Sequence, residues 1–367
     1  MSKPSFQIPL FRFMHICKIC GGINYIKINR LLPWAFKLIL LEPFRIIESI
    51  LFYKKIKQTI LRKDPIIILG FYRSGTTYLQ RLFIQNKRFG YQTIFHSAVP
   101  EICLGFTWLF KPIFSVFTTL LRLINNFHKV PFSWSFPGEE DVAITSLSHY
   151  ESPNWGNLFP RSFFNLYQLY AWSSSDSDAS KSWSQKYQYW LKKLSIINNN
   201  KQLVLKSPPN TSRIETLLEI FPNAKFVCLH REPRQMYKSL LSFWEILNKH
   251  YCLQNISENE IEEIILKSYD NTMKIYHSIK SKIPEENLCE VKYESLKKEP
   301  YSCFKMIYDR FGFDDFKNFE NGLKEFIKST QNYPFVKYEL TVIEDAIVSN
   351  CWSKHIKYWE DLSDMHD

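Results

Sequence analysis

The chain of 367 residues is 45% hydrophobic and 16% aromatic, so it can bury a large core, and this composition excludes an intrinsically disordered chain. The formal net charge of +11 at pH 7 favours an anionic partner, such as a nucleotide, a nucleic acid, a membrane surface or an acidic substrate. Eight cysteines are too few for a disulfide scaffold at this length, and without an evident secretion signal they predict a reducing, cytoplasmic location.

The first 60 residues predict a basic, amphipathic helical extension. Within it, PWAFKLILLEPFRIIESILFYKK contains too many charges to form the clean run of about 20 apolar residues that spans a membrane. Those charges are Lys37, Glu42, Arg45 and Glu48. Residues 33–58 therefore predict either a peripheral helix on an anionic membrane surface or an amphipathic helix packed on the protein's own core. The single C-x-x-C of Cys17 and Cys20 leaves a zinc or redox site and two incidental thiols both open.

The motif PIIILGFYRSGTTYLQ (65–80) predicts a buried strand, a glycine loop and then a helix. Its G-x-x-x-x-G frame is that of a nucleotide-hydrolysing P-loop, but Thr76 stands where such a loop has its lysine, and Arg73 supplies a cation instead. Backbone N–H groups and the helix dipole form an anion cradle in this setting, and Gly70 and Gly75 allow the turn. The motif therefore predicts a site for a phosphate-like group that does not need that lysine.

The middle of the chain carries aromatic and acidic residues. Residues 101–127 predict an aromatic-rich helical stretch, which forms either core or the wall of an apolar pocket. Trp134 and Trp155 suit a sugar face, an acyl chain or plain core equally well. The acidic residues 139–141 in SFPGEEDVAITSLSHY predict the start of a helix, because carboxylates are stabilised there by the helix dipole.

Two further strand–helix units place basic residues at strand ends. QLVLKSPPNTSR predicts a strand followed by Lys206, with Thr211 or Ser212 as the cap of the next helix. KFVCLHREPRQMYKSLLSFW predicts a strand, then Arg231, and a helix that carries Ser239. An arginine fork and a hydroxyl at this spacing can converge on a second phosphate. Taken singly, a lysine at a strand end is more often only solvated.

Strands that alternate with helices predict an α/β fold with a three-layer parallel sheet covered by helices on both faces. The predicted strands are 65–69, 202–205, 225–229 and 288–296, and the helices that follow include 75–87 and 257–282. Ligands of such folds bind at the carboxyl ends of the strands, where the polar residues lie. We expect an N-terminal extension (1–60), an α/β domain (61–335) and a C-terminal helical segment packed on that domain (336–367).

The three segments, in this order, resemble the sulfotransferases that use 3′-phosphoadenosine 5′-phosphosulfate, and most of all the group with an R-S-G-T-T loop that contains bacterial and tyrosylprotein enzymes. The resemblance covers about residues 65–300 and is carried by GFYRSGTTYLQRL, LVLKSPPNTSRIETLLEIFPNAKFV and the R-x₇-S spacing of HREPRQMYKS. VKYESLKKEP matches a short V-x-Y-E-x-L stretch of the family. The resemblance implies the P-loop-kinase-like sulfotransferase fold, the phosphosulfate nucleotide as co-substrate and no metal.

The resemblance also implies how the donor is held. Its loop residues are implied to bind the 5′-phosphosulfate, and these are Arg73, Ser74, Gly75, Thr76 and Thr77. Arg231 and Ser239 are implied to hold the 3′-phosphate, and Lys206 to contact the sulfuryl group or the bridging oxygen. Tyr293 is implied either to lie near the nucleotide or to pack.

The general base is less well defined. Glu139, Glu140 and Asp141 occupy the position of an acidic stretch in the bacterial relatives, and Glu139 and Glu140 rank first among them. A purely structural role at the start of a helix stays open for all three. His96 and Glu101 are fallbacks that follow the next probable strand. Many relatives read L-K-S-P-x-H where this chain has Asn210, and an amide cannot act as a base.

The sequence therefore predicts in-line transfer of a sulfuryl group to an acceptor hydroxyl, with a glycan or a lipid as the preferred acceptor and no nucleic acid as partner. A small-molecule kinase on the same fold is the first alternative, and the absent P-loop lysine argues against it. A catalytically silent nucleotide-binding homologue is the second alternative, for which Asn210 is the argument.

Overall fold

A computed structural model of the chain describes residues 9–124, 132–330 and 338–362. Its centre is a five-stranded sheet in the order β2-β3-β1-β4-β5, and every neighbouring pair is parallel. The strands are β1 Ile66–Leu69, β2 Phe89–Tyr91, β3 Gln202–Lys206, β4 Lys225–His230 and β5 Leu288–Lys292. The first strand lies in the middle of the sheet, and its four residues are all buried, as expected for a strand covered on both faces.

Helices make up most of the remaining described chain. The α-helices are α1 Pro9–Ile19, α2 Leu32–Gln58, α3 Thr76–Phe83, α4 Ile94–Ala98, α5 Thr107–Ile124, α6 Glu140–Ser146, α7 Trp155–Leu158, α8 Phe163–Tyr170, α9 Asp178–Ile197, α10 Ile214–Ile220, α11 Pro233–His250, α12 Glu258–Ile279, α13 Tyr293–Lys298, α14 Pro300–Arg310, α15 Glu320–Thr330, α16 Val342–Cys351 and α17 Ser353–Asp361. Short 3₁₀-helices occupy Tyr25–Leu31, Pro160–Ser162, Pro208–Ser212, Lys280–Lys282, Glu285–Asn287 and Phe316–Asn318.

The alternation of side chains along the strands divides the core into two layers. Ile67 and Leu69 of β1 belong to a cluster with residues of α8–α12 and α16–α17. Ile66 and Ile68 face the other way, into a cluster with residues of α3 and α13–α15. Both faces of the sheet are therefore covered by helices, which confirms the predicted three-layer α/β architecture.

The first three predicted strands are confirmed with small differences at their ends, and three details are wrong. The segment LCEVKYESL is a strand only to Lys292, and Tyr293 begins a helix. The helix after the glycine loop ends at Phe83 rather than at Lys87. Thr211 and Ser212 lie in a 3₁₀-helix, so neither caps α10, whose cap residue is Arg213. The end of β5 had a local signal, since most of residues 294–298 are good helix formers.

The N-terminal helices pack against the domain. Phe13 of α1 and Leu38 of α2 join a cluster around Trp155, whose exposed fraction is 0%. Trp155 is thus a core residue, and the C-x-x-C thiols lie in the same region, where burial raises the pKa of both Cys17 and Cys20 to about 11. Within the described ranges, no helix is long and apolar enough to cross a membrane. The predicted domain limits stay predictions, and the one at 335/336 lies outside the described residues.

Candidate active site

The glycine loop after β1 is fixed by backbone geometry. Gly70 has φ 142° and Gly75 has φ 93°, both in the region that favours glycine. A Cβ on Gly75 would lie 2.2 Å from the ring of Tyr293, and one on Gly70 would lie 2.8 Å from the carbonyl oxygen of Leu229. The backbone N–H of Gly70 donates to Oγ1 of Thr211 at 2.9 Å, which ties the loop to the segment after β3. The loop therefore opens α3 in a single, tightly defined conformation.

Two arginines meet at this loop. Arg73 Nε donates to Ser239 Oγ at 3.0 Å, and Arg231 Nη1 donates to the carbonyl oxygen of Arg73 at 2.8 Å. The Arg231 guanidinium lies 5.3 Å from the ring centroid of Tyr293. The structure therefore brings together all four of these predicted residues, which come from three separate parts of the sequence.

The arrangement suits a bound anion. Among the described residues, neither Arg73 nor Arg231 forms an ion pair, and Arg231 Nε is buried without a hydrogen-bond partner. Burial lowers the pKa of Arg231, and the nearby charge of Arg73 acts in the same direction. Arginine side chains that form no ion pair can donate charge-assisted hydrogen bonds to a phosphate, which stabilises them. The residues present thus fit the phosphates of the expected nucleotide.

Lys206 lies at the end of β3, beside β1, and connects two acidic residues. Its Nζ donates to Glu139 Oε1 at 2.5 Å, and its backbone N–H donates to Glu140 Oε1 at 3.1 Å. The Lys206 side chain is 3% exposed, whereas that of Glu139 is 25% exposed. The carboxylate of Glu139 is thus accessible from solvent and lies next to the buried ammonium group of Lys206.

Glu140 differs from its neighbour because it is fully buried. Its Oε2 has no hydrogen-bond partner within the described parts of the chain. Burial raises the pKa of Glu140 from its ordinary 4.5 to about 8, although the Lys206 backbone N–H bond acts in the opposite direction. At neutral pH Glu140 is therefore mainly protonated and supports the backbone of Lys206.

The remaining acidic candidates and the asparagine are used elsewhere. Asp141 accepts from Arg213 Nη1 at 2.7 Å and from Ser207 Oγ at 2.8 Å. Asn210 is fully buried, and its Oδ1 accepts from the same Arg213 nitrogen at 3.2 Å. Asp141 and Asn210 thus hold a buried polar network behind β3.

The two fallback candidates also have other partners. His96 Nδ1 accepts from the backbone N–H of Thr93 at 3.2 Å and so caps α4. Burial lowers the pKa of His96 to about 4, which keeps its ring neutral. Glu101 faces Lys37 of α2 at 3.3 Å. Their described hydrogen bonds and ion pairs do not involve the glycine loop.

Sequence reasoning missed two side chains that support the loop. The Tyr72 hydroxyl donates to Asn154 Oδ1 at 3.0 Å and accepts from the Tyr167 hydroxyl at 2.7 Å. Thr211 accepts from Gly70, although its hydroxyl was expected to cap a helix. Tyr72 could have been singled out because it lies inside the loop, directly before Arg73. The role of Thr211 had no local signal, since its partner lies far away in the sequence.

Changing Glu140 tests its protonation. The folded-state pKa of Glu140 is raised, so its contribution to stability is complete below about pH 4.5 and is lost as the pH rises through about 8. We expect the wild type to lose free energy of unfolding over this range relative to Glu140→Gln, whose amide cannot ionise. Chemical denaturation of both proteins across this pH range measures the difference. Parallel stability curves would show that Glu140 is not protonated in the folded protein.

Comparison with known proteins identifies the chemistry of this site. The family model described as the Sulfotransferase family matches residues 65–317, which is more than half of the chain. The chain belongs to the sulfotransferase family. This sulfotransferase transfers a sulfuryl group from 3′-phosphoadenosine 5′-phosphosulfate to an acceptor hydroxyl, and the kinase alternative is set aside.

Individual relatives extend this assignment over most of the chain. The sulfotransferase is 24% identical over 309 residues to the omega-hydroxy-beta-dihydromenaquinone-9 sulfotransferase Stf3 of Mycobacterium bovis and, equally, of Mycobacterium tuberculosis. The match covers 84% of this chain and 78% of each relative.

Two solved structures share its fold. Sulfotransferase STF9 from Mycobacterium avium matches with a TM-score of 0.71 at 14% identity and covers 99% of both chains. Sulfotransferase STF1 from Mycobacterium tuberculosis H37Rv matches with a TM-score of 0.67 at 17% identity, over 94% of this chain and 91% of that one. These likenesses confirm the predicted sulfotransferase fold.

Proposed function

We propose that the acceptor of this sulfotransferase is the hydroxyl group of a lipid with a long apolar chain. The observation that carries the proposal is the similarity, over 84% of this chain, to Stf3, which is named for a hydroxylated menaquinone. The glycan alternative loses one of its arguments, since Trp155 is fully buried in the core and offers no face to a sugar. A cytoplasmic location stays a prediction of the sequence.

The donor is proposed to bind across the glycine loop. The loop residues 73–77 and the first N–H groups of α3 would hold the 5′-phosphosulfate. The side chain of Thr77 is exposed, whereas that of Thr76 is buried. Arg231 and Ser239 would hold the 3′-phosphate. The hydrogen bond from Arg73 to Ser239 supports a role for the Arg73 guanidinium between the two proposed phosphate positions, from which it would contact either one. Tyr293 would support this arrangement through its contact with Arg231.

Transfer is proposed to depend on Glu139 and Lys206. Glu139 takes the proton of the acceptor hydroxyl as the new oxygen–sulfur bond forms. Lys206 stabilises the charge that collects on the bridging oxygen as the old sulfur–oxygen bond breaks and adenosine 3′,5′-bisphosphate leaves. Glu140 is a positioning residue, since its contact is with the backbone of Lys206. Asn210 then takes no part in proton transfer, which answers the argument for a silent homologue.

Transfer of radiolabelled sulfate to a panel of acceptors tests the proposed function. The panel compares long-chain and polyprenyl alcohols in detergent with oligosaccharides and with short alcohols in water. We expect sulfation of the long-chain alcohols, and turnover of oligosaccharides alone would overturn the lipid proposal. Binding of the donor without transfer to any acceptor would favour the silent homologue.

Arg231→Ala tests the 3′-phosphate assignment. Loss of a charged hydrogen bond should weaken binding of adenosine 3′,5′-bisphosphate by about 1.5–3 kcal/mol. Isothermal titration measures this change, with Arg310→Ala as the control, because Arg310 contacts Glu285 in the segment that precedes β5. Equal affinity of the Arg231 variant and the wild type would disprove the assignment.

A further inference from the structure

The outer face of α2 is apolar, although its inner face carries charges. Large apolar side chains recur on the outside at helical spacing and are all at least two-fifths exposed. They are Leu32, Phe36, Ile39, Leu40, Ile46, Ile47, Ile50, Leu51 and Tyr53. A water-soluble helix normally shows the reverse pattern, with its apolar side chains turned inward.

The charges that interrupt this helix are paired with each other or with the domain. Lys37 pairs with Glu101 at 3.3 Å, and Arg45 Nη2 pairs with Glu42 at 2.6 Å. Glu48 is almost fully buried, where it pairs with Lys193 at 2.8 Å and accepts the backbone N–H groups of residues 104 and 105. Because these charges are neutralised, the exposed apolar face carries no unpaired acidic group.

Neighbouring helices continue this face. Phe44 of α2 packs against Phe106 and Phe110, with ring centroids 5.1 Å and 4.9 Å apart, so α2 and the start of α5 lie side by side. The start of α2 also stacks on α1, through Trp34 and Phe13. Further exposed apolar side chains on α1 and α5 are Phe11, Met14, Trp108, Ile113, Val116 and Phe117. We call these outer faces of α1, α2 and α5 the apolar surface.

A group of unpaired cations lies at one end of the apolar surface. The last turn of α2 and the segment after it expose Lys54, Lys55, Lys57, Arg62 and Lys63. None of the five forms an ion pair with another described residue. Basic residues beside an exposed apolar helix complement the anionic headgroups of a bilayer, whereas a purely apolar partner would gain nothing from them.

The inner faces of α1 and α2, opposite the apolar surface, pack against the segment that supports the glycine loop. Trp34 lies 6.0 Å from Trp155 between ring centroids, and the residue before Trp155 is Asn154. Asn154 accepts the hydrogen bond of Tyr72, which directly precedes Arg73 in the glycine loop. The helices that form the apolar surface are therefore linked, through their inner side chains, to the side of the site that includes Tyr72.

We propose that α1, α2 and α5 dock this sulfotransferase on the surface of an anionic bilayer. The helices lie in the interface, with the apolar side chains among the acyl chains and the basic group against the headgroups. If the acceptor is a lipid, as proposed above, its hydroxyl group would come from this bilayer. The docking itself does not depend on the identity of the acceptor. The apolar surface would thus provide a link between a bilayer lipid and the site.

Sedimentation with vesicles of phosphatidylglycerol and phosphatidylcholine tests the docking. We expect the wild type to bind these vesicles, less strongly in high salt and less strongly to pure phosphatidylcholine. The double variant Ile50→Glu/Leu51→Glu should bind at least about tenfold more weakly. Ile343→Glu is the matched control, because Ile50 and Ile343 are each 73% exposed and Ile343 lies on α16. It should bind as the wild type does.

Three results would overturn the docking proposal. These are absent binding of the wild type, unchanged binding of the double variant, and a wild-type dimer in light scattering that the double variant converts to a monomer. The last result would assign the apolar surface to a second copy of the chain. Turnover of a short, water-soluble alcohol by the double variant should equal that of the wild type. If no alcohol is sulfated by either protein, the proposed acceptor fails, while the vesicle result still decides the docking.

Discussion

Replacement of Glu139 by glutamine is expected to lower kcat by roughly 10²–10⁴-fold, the contribution of a positioned general base. The amide can still accept the hydrogen bond of Lys206 Nζ, so the buried ammonium keeps a partner and the fold is preserved. The variant loses only the ability to take a proton. Single-turnover transfer of radiolabelled sulfate to the acceptor measures the change.

Glu140→Gln is the control for this experiment, because it makes the same chemical change one residue later. Glu140 is mainly protonated at neutral pH, so its amide variant should keep turnover within about threefold of the wild type. Both variants should bind adenosine 3′,5′-bisphosphate with wild-type affinity. A large loss in Glu140→Gln with little loss in Glu139→Gln would reverse the two assignments.

Arg73→Ala is expected to lower kcat/KM by about 10²–10³-fold, the size of effect seen when one preorganised donor to a developing negative charge is removed. The protein should keep its thermal stability, since Arg73 is exposed and its hydrogen bond to Ser239 is its one described side-chain contact. Arginine already adopts φ 68° at this position, so alanine introduces no new backbone strain there. Turnover and thermal unfolding are measured side by side.

Two further arginine variants make this result specific. Arg73→Lys keeps the charge but loses the forked donor, so it should recover only part of the activity. Arg62→Ala removes an exposed arginine before β1 and should leave turnover of a short, water-soluble alcohol unchanged. Wild-type turnover in Arg73→Ala would remove this residue from the proposed donor site.

The strand–loop–helix units could be predicted because their signals are local. Ile66–Leu69 is a short apolar run that ends at a glycine, and Lys225–His230 is a similar run that ends before a proline. Among these strands, the end of the last one was misjudged by several residues. Tyr293 suits a strand, but most of residues 294–298 are good helix formers, and in the structure they form a helix whose first residue packs against the glycine loop.

The family of this protein, the three strand–loop–helix segments and the parallel α/β core could be predicted from the sequence, because each follows from short motifs and from runs of apolar residues. The tertiary structure decided the strand order, the contact of Arg73 with Ser239 and the difference between Glu139 and Glu140. It also paired the four charges inside α2, at positions 37, 42, 45 and 48, with each other or with the domain, and left the large apolar side chains of this helix outside. The physical reason is that burial and ion pairing depend on groups brought together from distant parts of the chain, and two adjacent glutamates carry no local signal of which one faces water.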